Sequence, residues 1–142
     1  MASLTVTFDR ALFKSEAFRS LSGTQKTVLF DFLLKRRMGK AGKRGQWDIV
    51  NNGEIEYTYS EAEKKGIPRS TFMKTLDVLI SRGFIDVSHS GNGGRKGDKS
   101  LYSISERWRK WGEKDFVVVK RPKDLRVKRG FAAHPEHRKN HK

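Results

Sequence analysis

The chain has 142 residues, with 31 Lys and Arg against 16 Asp and Glu, a net charge of +15 and no cysteine. That length fits one domain with a tail, and the missing cysteine excludes a disulfide framework or a thiolate zinc site. The charge suits a polyanionic partner, nucleic acid or an anionic surface. Hydrophobic residues make up 35% and charged residues 33%, so part of the chain is expected to stay outside the core. The first residues, M-A-S-L-T-V-T-F-D-R, have no apolar signal core, and no run approaches the ~18 apolar residues of a membrane span. A cytoplasmic, nucleoid-associated protein with no membrane partner is the expectation.

In residues 1–20, Leu4, Val6 and Phe8 alternate as a weak strand, and Leu12, Phe13 and Phe18 are apolar anchors; together they read as an N-terminal arm. Residues 22–38 form the first helix. Ser22 and Gln25 make a capping box, Val28, Leu29, Phe32 and Leu33 share a face, Lys35, Arg36 and Arg37 fill the last turn, and Gly39 stops it. Residues 35–45 are basic and glycine-containing, a loop in which Lys43 and Arg44 are phosphate-contact candidates. Asn51-Asn52-Gly53 is a turn, and Ile55, Tyr57 and Tyr59 alternate as a short strand.

Residues 60–66 predict a short helix boxed by Ser60 and Glu63, with Gly66 at its C-terminal end. Ile67-Pro68 breaks the direction, and Pro68 is a candidate first residue of the helix over 69–82, closed by Gly83. Phe72, Leu76, Leu79 and Ile80 cluster on one face of it, with Ser70, Lys74 and Ser81 opposite and Thr71, Asp77 and Val78 at the margins. Residues 84–104 read as a hairpin: Phe84, Ile85 and Val87 on one strand, Leu101, Tyr102 and Ile104 on the other. Its glycine-rich tip, 91–99, carries Arg95, Lys96 and Lys99. Ser105 caps a short helix whose Trp108 and Trp111 form a core clamp, with Gly112 as stop. Residues 116–119 are a candidate strand or a segment packed on the domain. From 113 onwards the chain is a basic extension, read as largely disordered, that holds +6 of the +15; the remaining +9 makes the domain itself basic.

Chemistry other than binding finds little support. Gly91 to Gly97 lacks the glycine, lysine and hydroxyl spacing of a nucleotide cradle. His134, His137 and His141 with Glu136 stand close together, but in a basic, proline-containing terminus they read as solvated rather than as metal ligands. Glu54 and Glu56 share the solvent side of their strand with no histidine or serine tied to them. No catalytic residue, metal or cofactor is expected, and the protein does not read as an enzyme.

The stretch G-I-P-R-S-T-F-M-K-T-L-D-V-L-I-S-R-G-F-I, residues 66–85, resembles winged helix-turn-helix proteins. It is similar to small regulators of bacterial chromosomes and mobile elements and to replication-initiator DNA-binding domains. The likeness covers about residues 20–112. It departs from the family pattern at Pro68, where a capping residue is usual, and in the longer stretch from Lys35 to Asn52. The resemblance implies an α+β winged domain at 21–112: a three-helix core, a small antiparallel sheet and a β-hairpin wing. It further implies double-stranded DNA as partner, with the 69–82 helix in the major groove presenting Arg69, Ser70, Thr71 and Lys74. Arg95, Lys96 and Lys99 would grip the adjacent minor groove or the backbone from the wing, while Lys43, Arg44, Lys120, Arg121 and Lys123 add affinity through counterion release. Sequence-specific transcription control is the leading expectation. A plasmid or phage replication factor, an RNA-binding protein and a protein-interaction module that uses the apolar margin at Met73 and Val78 are the alternatives, and homodimerisation through the tryptophan segment or the N-terminal arm is left open.

Overall fold

The computed structural model describes residues 7–40, 47–91 and 99–120. The chain is of α+β class. In order come α1 (Arg10–Lys14), α2 (Glu16–Arg19), α3 (Gly23–Leu34), β1 (Met38–Lys40), β2 (Trp47–Ile49), β3 (Ile55–Glu56), α4 (Tyr59–Lys64), α5 (Arg69–Ser81), β4 (Ile85–His89), β5 (Leu101–Ile104) and a 3-10 turn (Arg107–Lys110). β1 and β2 form a two-stranded antiparallel ribbon; β3, β5 and β4, in that spatial order, form an antiparallel sheet. One core joins them: Val28, Leu29 and Phe32 of α3, Ile55 of β3, Phe72, Leu76, Leu79 and Ile80 of α5, and Phe84, Ile85 and Tyr102 are all buried.

Local capping sets where the helices begin. Asp9 accepts from the Ala11 amide at 2.9 Å to start α1, and Ser15 accepts from the Phe18 amide at 3.1 Å to start α2. These caps make the N-terminal arm helical rather than extended. Of the alternating residues, Leu4 and Val6 lie outside the described residues, and Phe8 leads into α1. Phe8, Phe13 and Phe18 gather around Phe30 of α3 at ring-centroid distances of 5.3 to 6.0 Å, which docks the arm onto that helix. The Ser22–Gln25 capping box opens α3 as expected.

α3 ends four residues earlier than the sequence suggests. Asn51 is the cause. Its buried side chain accepts from the Arg37 amide at 2.8 Å and donates to the Lys35 carbonyl at 3.0 Å. Those two backbone groups are thereby taken out of the helix. Arg36 and Arg37 therefore lie beyond α3, and Gly39, expected as its stop, sits in β1 paired with Asp48. Part of the expected 35–45 loop is thus strand. The neighbouring Asn52 accepts from the Ile104 amide at 2.6 Å and donates to the Ile104 carbonyl at 3.2 Å, which extends the β5 ladder. One turn consequently holds the end of α3 and the end of β5 together.

α4 starts earlier than expected. Thr58, not Ser60, is its cap, accepting from the Glu61 amide at 3.1 Å. Tyr59 is accordingly the first helical residue, and the expected Ile55–Tyr59 strand shrinks to Ile55–Glu56. Both helices that flank the Ile67-Pro68 turn close the same way. The Gly66 amide bonds Glu63 and the Ile67 amide bonds Ala62; the Gly83 amide bonds Ile80 and the Phe84 amide bonds Leu79. Gly66 and Gly83 have φ of +85° and +87°, the left-handed conformation this motif requires. Pro68 is the N-cap of α5, with φ −60° and ψ 150°, rather than its first helical residue, and it supplies no side-chain cap.

Past Gly83 the chain crosses closely over itself. The Trp108 amide donates to the Gly83 carbonyl at 3.1 Å, and the Trp108 ring stacks on Phe84 at 6.2 Å. The tryptophan clamp is therefore present, built on a 3-10 turn rather than an α-helix; the Ser105 hydroxyl accepts from the Arg107 amide at 3.2 Å, whereas Glu106, at the N-cap position, supplies no side-chain bond. Arg107 ties this turn down, pairing with Asp86 at 2.5 Å and donating to the Ile80 carbonyl at 2.9 Å and the Val117 carbonyl at 3.1 Å. Residues 116–119 form no strand: Val117 and Val118 are exposed.

A Cβ at Gly83 would stand 2.6 Å from the Trp108 backbone nitrogen, whereas one at Gly23, at the open start of α3, meets nothing within 4 Å. Gly83→Ala is expected to cost at least about 2 kcal/mol from backbone strain and displacement of the clamp, and Gly23→Ala to be neutral or stabilising by up to about 1 kcal/mol. Urea unfolding of the two variants checks this. Asn51→Ala, which removes the partner of the partly buried Arg37 amide and Lys35 carbonyl, is expected to lose about 1–2 kcal/mol in the same assay.

Candidate nucleic-acid interface

The surface of α5 follows from its burial. With Phe72, Thr75, Leu76, Leu79 and Ile80 buried, the outward stripe at 100° per residue is Ser70, Lys74 and Asp77, all exposed, with Ser81 half-buried at its end. Arg69 is exposed beside the stripe and Thr71 is half-buried. The helix thus brings together the four expected residues Arg69, Ser70, Thr71 and Lys74 on its first two turns. Asp77, placed at the margin from the sequence, stands at the centre of the stripe: it follows Ser70 by seven residues, two helical turns. Thr75, absent from the expected apolar face, lies on the buried side of the helix, where its hydroxyl is satisfied by donating to the Thr71 carbonyl at 2.8 Å.

Arg69 does not wave freely. Its guanidinium lies 4.6 Å from the centroid of the Tyr59 ring, which meets Phe72 edge-on at 5.6 Å and 88°. Sequence reading gave no hint of this contact, because it depends on the turn bringing the starts of α4 and α5 together.

The hairpin that follows α5 is twisted by an irregularity between Val87 and His89 and anchored at its base by Ser88, whose hydroxyl donates to the Gly53 carbonyl at 2.5 Å. Lys99, two residues before β5, is exposed and stands 3.8 Å from Glu56 on β3. At that distance and exposure the pair is weak, so a phosphate could replace the carboxylate. Lys120 is exposed. The other expected contacts, Lys43, Arg44, Arg95, Lys96, Arg121 and Lys123, lie outside the described residues, as do His134, Glu136, His137 and His141.

Elsewhere, cations are committed to the fold. Lys35 pairs with Glu61 at 2.6 Å, and Lys65 reaches Glu61 at 3.3 Å and Asp31 at 3.5 Å. Both ammonium groups flank the Tyr57 ring, at 4.9 and 5.0 Å, and the Tyr57 hydroxyl donates to Asp31 at 2.6 Å. Burial first, then that hydrogen bond and the charges of Asp31 and Glu61, push the Tyr57 phenol well above its ordinary value, so it remains a donor. Arg109 joins Asp9 to Glu106. The Asp31–Lys35–Glu61–Lys65 network joins α3 to α4 around Tyr57, whose ring meets Phe72 of α5 at 4.7 Å.

Among the described residues no group of three or more His, Cys, Asp or Glu side chains is arranged to hold a metal, and no helix is long and apolar enough to cross a membrane. No protein-family model matches the chain, and neither does any curated protein or solved structure.

Burial works against the Glu61 carboxylate, but the hydrogen bonds and charges of Lys35 and Lys65 outweigh it and hold the group below the ordinary glutamate range. Its contribution is therefore complete above the unfolded value of ~4.3 and is lost as pH falls through the lower folded value. Asp9 and Asp115, lowered by Arg109 and Lys110, act in the same direction, so the informative comparison is between variants. Glu61→Gln is expected to lose about 1 kcal/mol at neutral pH and to show a shallower decline than the parent between about pH 5 and 3. Urea unfolding across that range measures it.

Proposed function

We propose that the protein is a sequence-specific DNA-binding regulator of the winged helix-turn-helix type. In this reading α4, the Ile67-Pro68 turn and α5 are the helix-turn-helix, and the β4–β5 hairpin is the wing. The observation that carries it is the outward stripe of α5, small and polar at Ser70, cationic at Lys74 and acidic at Asp77, directly opposite a buried stripe and directly followed by the hairpin. A helix with so slim a polar face fits a major groove ~12 Å wide.

Each residue then has a role set by its chemistry. Ser70 donates or accepts at a base edge. Lys74 is a point charge for a guanine edge or a phosphate. Asp77 offers an acceptor to a cytosine amino group and repels phosphates when the helix sits in the wrong register, which favours sequence preference over bulk attraction. Arg69 and Thr71 flank the stripe and serve the backbone. Lys99 exchanges Glu56 for a phosphate. The basic residues at 43, 44, 95, 96, 121 and 123 raise affinity on any sequence through released counterions.

Titration of the full chain with a random-sequence duplex and a structured RNA at two salt concentrations tests the proposal. Duplex binding is expected to be the tighter and to weaken steeply with salt. Lys74→Glu is expected to reduce duplex affinity about tenfold and to abolish enrichment of any sequence from a random pool. Equal binding of RNA and duplex with no enriched sequence, or no effect of Lys74→Glu, would contradict it.

A further inference from the structure

We infer that Tyr59 is a positioning residue for DNA binding: its ring is a fixed shelf that presents the Arg69 guanidinium to a phosphodiester of the duplex backbone. The inference rests on the DNA-binding reading of α5 and adds to it a residue on a different helix. Tyr59 is the first residue of α4, half-buried, and its ring meets the buried Phe72 ring in a T-shaped contact at 5.6 Å. The ring cannot swing away without losing that core contact. Arg69, three residues before Phe72 on α5, covers the outer side of the same ring at 4.6 Å. Phe72, Tyr59 and Arg69 therefore form a chain of contacts from the buried core to an exposed side chain.

The shelf matters because of what Arg69 does not do. Arg107 is bound to Asp86 and two backbone carbonyls, Arg109 to Asp9 and Glu106, and Arg36 to the carbonyls of Leu33 and Thr7. Lys35 and Lys65 also lie over a ring, that of Tyr57, but both are paired with carboxylates. Arg69 makes its ring contact with no carboxylate or carbonyl acceptor among the described residues. Stacking occupies the face of a guanidinium and leaves its in-plane N–H donors available. A planar fork with open donors at a groove-facing helix start is matched to a phosphate, which it can grip with two parallel hydrogen bonds. Because the side chain is already ordered, less of its freedom is lost on binding.

The test is a double-mutant cycle on the full chain, read by fluorescence anisotropy with a random-sequence 20-bp duplex at two salt concentrations. Arg69→Ala is expected to weaken binding about fivefold and to reduce the salt slope by about one. Tyr59→Leu is expected to weaken it about threefold, Tyr59→Phe to leave it within about 1.5-fold, and Tyr59→Leu in the Arg69→Ala background to cause no further loss. Additive losses would show that Tyr59 acts through the fold and not through Arg69, and equal losses for Phe and Leu would rule out the ring as the shelf; either overturns the inference. Should Tyr59→Leu fail to fold, the parent chain supplies the check. Ring-current shifts of the Arg69 side-chain protons are expected to persist when duplex is added, and their disappearance would overturn the inference. Absence of duplex binding by the parent defeats the DNA-binding reading itself, a result distinct from binding with additive losses.

Discussion

Phe72, Leu76, Leu79 and Ile80 lie almost wholly out of solvent, each contributing about 1.5–3 kcal/mol relative to exposure. Their burial fixes the rotation of α5, and a helix whose rotation is fixed has no freedom over what it shows to solvent. The outward stripe of Ser70, Lys74 and Asp77 is the geometric complement of the buried one. A charged residue in the buried stripe would unseat the helix, which tolerates Thr75 there because its hydroxyl bonds the Thr71 carbonyl, whereas exchanges in the outward stripe would alter only what it meets. The stability of the domain and the chemistry of its candidate interface are therefore set by opposite sides of the same thirteen residues.

The ends of α5 are held by different means. At its start Pro68 breaks the direction and Arg69 is steadied on Tyr59; at its end Gly83 reverses the chain, Arg107 takes the Ile80 carbonyl, and Trp108 closes over Phe84. The surrounding electrostatics divide in a similar way. Asp31 and Glu61 are neutralised by Lys35 and Lys65, and Asp9 and Glu106 by Arg109. Asp9, Asp31, Glu61 and Asp86 each join one element to another. What the chain has in excess is positive, and some of that excess stands on α5 without a structural task.

Much of this was legible in the sequence wherever the signal is local. The period of α5, its closure at Gly83, the Ser22–Gln25 box and the pairing of the two hairpin strands all depend on residues a few positions apart. The Trp108 clamp was legible too, because a large ring beside an apolar strand has few other places to go. Features that depend on distant partners were not. Asn51 announces a turn, but nothing nearby says that its amide ends α3 sixteen residues upstream at the Lys35 carbonyl. The β1–β2 ribbon is three residues per strand and contains glycine and lysine, below what alternation can reveal. Ile55, Tyr57 and Tyr59 alternate well enough for a strand, yet Thr58 caps a helix in their midst. In the candidate site, the identities of the outward residues were readable, while the Arg69–Tyr59 stack was not, since it exists only after the turn has folded.

The central claim is that the outward stripe of α5 is the surface that meets duplex DNA. Backbone amide chemical shifts of the full chain, followed as a random-sequence duplex is added, test it most directly. The account predicts that the largest changes fall on residues 69–77 of α5 and on the hairpin strands beside residues 91 and 99, while the Asp31–Lys35–Glu61–Lys65 network stays still. Changes centred on that network, or on the Phe8–Phe13–Phe18–Phe30 cluster, with α5 unmoved, would contradict it.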